Sequence, residues 1–203
     1  MRKSKFFIIG LILLIVIIQV GLLFSGTKSK WKIIILEFIV IFALLIIYAF
    51  IISYFYRKLI RNYNNLNYDY VIKNGLRLRK LIPKRGVSEE IALLLAVCFF
   101  SKDEDEIFKI YINLVKDKKL IIAKYHWLLI YNIINKNLEE AEKQFALLVE
   151  SKESRHYEVY YEMAQSLLKL LYLVDEDKNK EIEKLQMLFK NKRIVSFLDK
   201  EKV

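Results

Sequence analysis

Two long apolar runs stand at the start of the chain, and a three- and four-residue apolar rhythm fills the rest. From Phe6 to Phe24, sixteen of nineteen residues are Phe, Ile, Leu or Val, and no charge interrupts them. On an insertion scale of about −0.3 to −0.6 kcal/mol per such residue, that run gains about 5 to 10 kcal/mol in a bilayer. The second run, Ile33 to Tyr56, is ~36 Å long as a helix at ~1.5 Å per residue and exceeds a ~30 Å hydrocarbon core. Trp31 before it and the tyrosines from Tyr48 to Tyr56 supply interfacial anchors. The basic Met1 to Lys5 segment would also suit a signal peptide, but the apolar core is too long, and Leu23 or Phe24 would occupy the site that wants a small side chain. The expectation is a transmembrane hairpin with spans at 6–24 and 33–56.

From Arg57 onward the apolar period is helical throughout. Polar breaks fall near Lys84 to Gly86, Ser101, Asn135 to Asn137 and Lys152 to Arg155. Ser88-Glu89-Glu90 predicts a capped, dipole-complemented helix start, and Ser101-Lys102-Asp103-Glu104 predicts a capping box that accounts for the acidic cluster there without a metal. Five glycines and one proline in 203 residues are too few for a sheet with many tight turns. The fold class is therefore all-α, with residues 1–56 as membrane hairpin and 57–203 as one helical domain. That domain is long enough to bury a core without staples.

Charge orients the hairpin. Arg2, Lys3 and Lys5 precede the first span and Arg57, Lys58, Arg61 and Lys73 follow the second, against Lys28, Lys30 and Lys32 between them. The positive-inside rule then puts both termini in the cytoplasm of a multi-pass cell-membrane protein. The single thiol, Cys98 in an apolar run, agrees with a reducing compartment. Of the chain's net +11, most is concentrated between Arg57 and Gly86, where nine basic residues face Asp69 alone. Arg57, Lys58, Arg61, Arg77, Arg79, Lys80, Lys84 and Arg85 are therefore candidates for contact with anionic lipid, at about 1 kcal/mol each near the leaflet surface. No recognition motif accompanies the charge, so nucleic acid is not expected as a partner.

The helical segments recur at thirty-four residues. Leu94-Leu95 returns as Leu128-Leu129, Ile107 as Ala141, Tyr111 as Phe145, and Leu114-Val115 as Leu148-Val149. Leu66 to Ile72 continuing to Leu78, Leu81 and Pro83 is similar to the second helix and closing proline of one unit, and Asn137 to Ala141 with Phe145 and Leu148 to that of another. These features resemble a divergent tetratricopeptide-repeat array over about residues 52 to 150. Leu95 and Leu129 stand where the family has its first-helix glycine, and Gly75 replaces an aromatic. The resemblance implies right-handed stacking of helical hairpins and a concave face for a protein partner. Carried over by position, that face holds Phe99, His126, Ile130, Ile133, Tyr157 and Tyr160.

Catalytic chemistry finds little to work with. His126 and His156 are thirty residues apart, and no nucleophile motif, phosphate loop or metal-ligand spacing occurs. No cofactor, metal or enzymatic activity is expected. The expected role is a membrane-anchored interaction scaffold binding another protein, for instance an apolar helix of a membrane protein. The alternative is a small bacterial accessory or immunity-type protein that acts through its transmembrane hairpin.

Overall fold

The computed structural model describes residues 30–82, 86–151, 157–173 and 175–202. The predicted first span, Pro83, Lys84, Arg85 and His156 lie outside them. The described residues form nine α-helices and no strand: α1 Lys30–Asn64, α2 Tyr68–Arg79, α3 Val87–Phe100, α4 Asp105–Asn113, α5 Ile121–Ile134, α6 Leu138–Glu150, α7 Tyr157–Leu170, α8 Asp175–Leu188 and α9 Lys192–Glu201.

One helix among these residues, α1 over Phe38–Asn64, is long and apolar enough to cross a membrane. Its first part, before Tyr48, is open among the described residues: Phe38 and Phe42 are two-thirds exposed. Four turns later the same helix becomes part of the domain. Ile52, Tyr56, Leu59 and Tyr63, at helical spacing, join the core while Tyr54, Phe55, Arg57 and Lys58 stay exposed. The helix does not end at Tyr56, because that apolar stripe continues to Tyr63 and gives the last two turns a face to bury.

Three helix pairs, α1/α2, α3/α4 and α5/α6, are joined by one and the same turn. Leu66, Asp103 and Lys136 adopt φ of 58°, 59° and 57°. Around each, the amide of the following residue donates to the carbonyl five residues back, Asn67 to Asn62, Glu104 to Phe99 and Asn137 to Asn132. The amide of the left-handed residue itself bonds to the carbonyl of Tyr63, Phe100 or Ile133. These are the paired bonds of a Schellman motif. The next residue at once becomes the N-cap of the second helix; Asn67 and Asn137 cap with their side chains.

The turns correct the predicted register. Leu66 and Asp103 are 37 residues apart and Asp103 and Lys136 only 33, so the second helices align one residue away from the thirty-four-residue pairing. Val71, Phe108 and Ala141 then coincide, all fully buried, as do Leu78, Val115 and Leu148. In the first helices Leu59, Ala96 and Leu129 coincide, again buried. Gly75 occupies the place of Ile112 and Phe145 because α2 lies close on α3: a Cβ there would come within 3.1 Å of the Leu95 side chain.

Two predicted caps do not form. Ser88 is the second residue of α3 and is buried; Gly86, at φ 62°, takes the N-cap position. Ser101 ends α3 instead of starting α4, with its hydroxyl donated to the Val97 carbonyl at 2.7 Å. The neighbouring acids have other partners. Glu90 accepts from the Tyr56 hydroxyl, and Glu89 accepts from the amides of Lys116 and Asp117.

After α6 the pattern changes. Helix α7 packs mainly on α5, α8 on α7, and α9 on both α8 and α5. Helix α9 is tied to the α3/α4 turn through Arg193, which donates to the Phe100 carbonyl and to Asp105 and pairs with Asp103.

Candidate functional site

The residues expected on a concave face are, for the most part, core. Phe99, His126, Ile130 and Ile133 are at most 5% exposed. Phe99 stacks on Tyr111 of its own hairpin at 5.4 Å. Tyr157 is half-buried in a column with Tyr161 and Phe145, between α6 and α7. Among the described residues these side chains therefore form no open apolar groove. Helices α7 and α9 pack on α5, and Phe189 of the α8/α9 link lies parallel to the His126 ring at 6.3 Å.

A smaller opening remains. A cleft of about 550 Å³ lies between the α1/α2 turn (Tyr63, Tyr68), α5 (His126, Trp127), α7 (Tyr160) and the α8/α9 link (Phe189). His126 and Tyr160 of the expected set line it, and their rings are 5.0 Å apart. Sequence reasoning missed the remaining lining, because it comes from segments over a hundred residues apart.

Burial without compensating charge pushes the His126 pKa down to about 3, so the imidazole is neutral, and its Nδ1 has no hydrogen-bond partner. Cys98 is buried, and desolvation pushes its thiol up to about 12, so it is not a nucleophile at neutral pH. Among the described residues no cluster of three His, Cys, Asp or Glu could hold a metal.

The basic residues divide into three groups. Arg57, Lys58 and Arg61 are exposed on α1. Helix α2 runs back antiparallel to α1, so Arg77 and Lys80, also exposed, come down beside the apolar part of that helix. The Tyr48 hydroxyl donates to the Leu81 carbonyl at 2.5 Å and fixes this level. Arg79 does not belong with them. Its guanidinium is 5.4 Å from the Tyr111 ring and its Nε is buried, so it packs between α2 and α4. Lys84 and Arg85 lie outside the described residues.

Comparison with known proteins yields no matching family model, no matching characterised protein and no matching solved structure.

Proposed function

We propose that this chain is a membrane-anchored protein-interaction module, a divergent tetratricopeptide-like array of helical hairpins held at the cytoplasmic face by a two-span anchor. The observation that carries the reading is the threefold recurrence of one Schellman turn with equivalent buried positions on both sides of it. In the turn-defined register Ala96 stands at the small-residue site of the family's first helix, where the other two hairpins have Leu59 and Leu129, and Pro83 follows Val71 at the spacing of the closing proline. The continuity of α1 from apolar span into first hairpin supports a rigid tether. Nothing in the reading calls for catalysis.

The partner site is the aromatic cleft, since α7 to α9 fill the rest of the inner face. Tyrosine and tryptophan rings beside Asn64, Lys190 and Asn191 around an opening of this size suit a protein segment that brings an apolar anchor side chain with polar neighbours. The partner is a protein with an exposed apolar helix, for which another membrane protein is the natural source.

A photo-crosslinking residue placed at Tyr160 or Met163 tests this in native membranes, with Ile110, 62% exposed on α4, as the control. One protein adduct of constant mass from the cleft positions and none from Ile110 is expected. Adducts confined to Phe42 and Leu45 would instead favour the accessory reading, in which the hairpin itself acts. No adduct from either set would overturn the interaction reading.

A further inference from the structure

The corner between α2 and α3 sits where a soluble domain would not put it. Tyr48 belongs to the apolar span of α1, yet its hydroxyl is bonded to the Leu81 carbonyl. Lys28, Lys30 and Lys32 set the outer edge of that span. A hydrocarbon core of about 20 residues counted from there reaches to about Ile52. Tyr48 therefore stands about one turn inside the apolar layer, and whatever bonds to it is at the same depth.

The corner has the surface such a depth requires. Leu81 is 44% and Val87 37% exposed, and Ile82 lies between them in sequence. With Ala49, Ile52 and Tyr56 of α1, Ile82 and Val87 line a crevice of about 330 Å³ with almost no polar surface. Facing water, this would be an unexplained apolar cleft beside a helix already committed to lipid. Facing acyl chains, it is ordinary. The Tyr48 bond fits the same setting, because a backbone carbonyl out of reach of water needs a partner from the protein. Arg77 and Lys80, exposed on the last turns of α2, lie up to about one turn nearer the domain, at the level where phosphates follow hydrocarbon.

We infer that the α2–α3 corner is a second membrane contact: Leu81, Ile82 and Val87 enter the apolar edge of the adjoining leaflet beside α1 while Arg77 and Lys80 bind the phosphates of anionic lipids. The domain is continuous with α1 alone, so without a further contact it would be free to swivel about that helix axis. A second contact displaced from that axis holds the domain at one orientation to the bilayer, and so presents the aromatic cleft in a fixed direction. The inference rests on the membrane-anchored reading of α1.

The test uses the full chain in vesicles of phosphatidylcholine and phosphatidylglycerol, with an environment-sensitive fluorophore on one introduced cysteine. Buried Cys98 does not compete for the label. Leu81→Cys and Val87→Cys report the corner, Leu45→Cys the span, and Lys136→Cys the exposed α5/α6 turn. Nitroxide near the top of the acyl chain should quench the two corner labels several-fold more than the Lys136→Cys label. Nitroxide on phosphatidylglycerol should quench them more than nitroxide on phosphatidylcholine, and Arg77→Gln with Lys80→Gln should abolish that preference. Quenching at Leu45→Cys with none at the corner would overturn the inference and leave the anchor standing. Absence of quenching at Leu45→Cys as well would overturn the anchor itself. Corner labels shielded only in native membranes, and not in pure lipid, would assign the surface to a protein and overturn the lipid assignment. Equal quenching by the two lipids would remove the phosphate contact.

Discussion

Arg193→Ala removes a side chain that fastens the last helix to the α3/α4 turn. The guanidinium is about one-eighth exposed and makes four kinds of contact. It gives two hydrogen bonds to the Asp105 carboxylate, at 2.5 and 3.2 Å, one to the Phe100 carbonyl at 3.0 Å, an ion pair with Asp103 at 2.9 Å, and a cation–π contact 4.5 Å from the Phe100 ring. Asp103 is three-quarters exposed and regains water when the arginine leaves, so its pair is worth less than ~1 kcal/mol. The Phe100 carbonyl still accepts from the Asp103 amide and loses little. The fork on Asp105, itself mostly buried, contributes about 1.5 to 3 kcal/mol, and the ring contact up to ~1 kcal/mol. A total near 3 kcal/mol corresponds to about a hundredfold shift in an opening equilibrium. Amide hydrogen exchange in Ile194 to Leu198 should therefore accelerate about a hundredfold in Arg193→Ala, while α5 and α6 change far less. Arg193→Lys keeps the charge without the fork and should fall between. Exchange in α9 within threefold of the unsubstituted protein would refute the argument, and would mean that the Asn191–Ser101 hydrogen bond, the polar ties to α8 and the apolar contacts of Ile194 and Leu198 hold the helix without Arg193.

Three further outcomes follow from the same geometry. His126 has its pKa pushed down to about 3 by burial, so above about pH 6.5 neither state binds the proton, and as pH falls below that the unfolded chain takes up a proton that the folded one refuses. Stability should drop by about 2 kcal/mol between pH 7 and pH 5 in excess of any drop in His126→Leu, and equal slopes in denaturant titrations of the two proteins would disprove this. Lys136, exposed at φ 57°, should accept glycine with a gain of about 0.5 to 1 kcal/mol; Asp103→Gly at the equivalent turn should not raise the unfolding midpoint, because it also removes a partner of Arg193. The turn-defined register makes Val115, fully buried, the packing residue and Leu114, 37% exposed, its outward neighbour. Val115→Ala should cost about 1 to 3 kcal/mol and Leu114→Ala under ~1 kcal/mol by thermal unfolding, and the reverse order would restore the thirty-four-residue pairing.

The sequence by itself determined the helical class, the apolar span through α1 and the existence of α2 to α6, because each rests on a local period or on a run too long to be anything else. Asn67 and Asn137 cap their helices through their own side chains within one turn, a local signal passed over in favour of Ser88 and Ser101. Register was out of the sequence's reach. Helix α3 is buried on nearly every side from Leu95 to Phe100, so its pattern has no polar face from which to count, and the left-handed turn positions hold Leu66, Asp103 and Lys136 where a glycine would have announced them. The concave face failed for a related reason: an apolar residue looks the same in sequence whether it waits for a partner or is covered by its own chain, and only the return of α7 to α9 over α5 decided that Ile130 and Ile133 are core. Arg193 illustrates the limit most sharply. It is one of 34 basic residues, it meets Asp105 across 88 positions, and no local signal separates it from the others, because its role depends on where the fold brings α9 and not on what surrounds it in the chain.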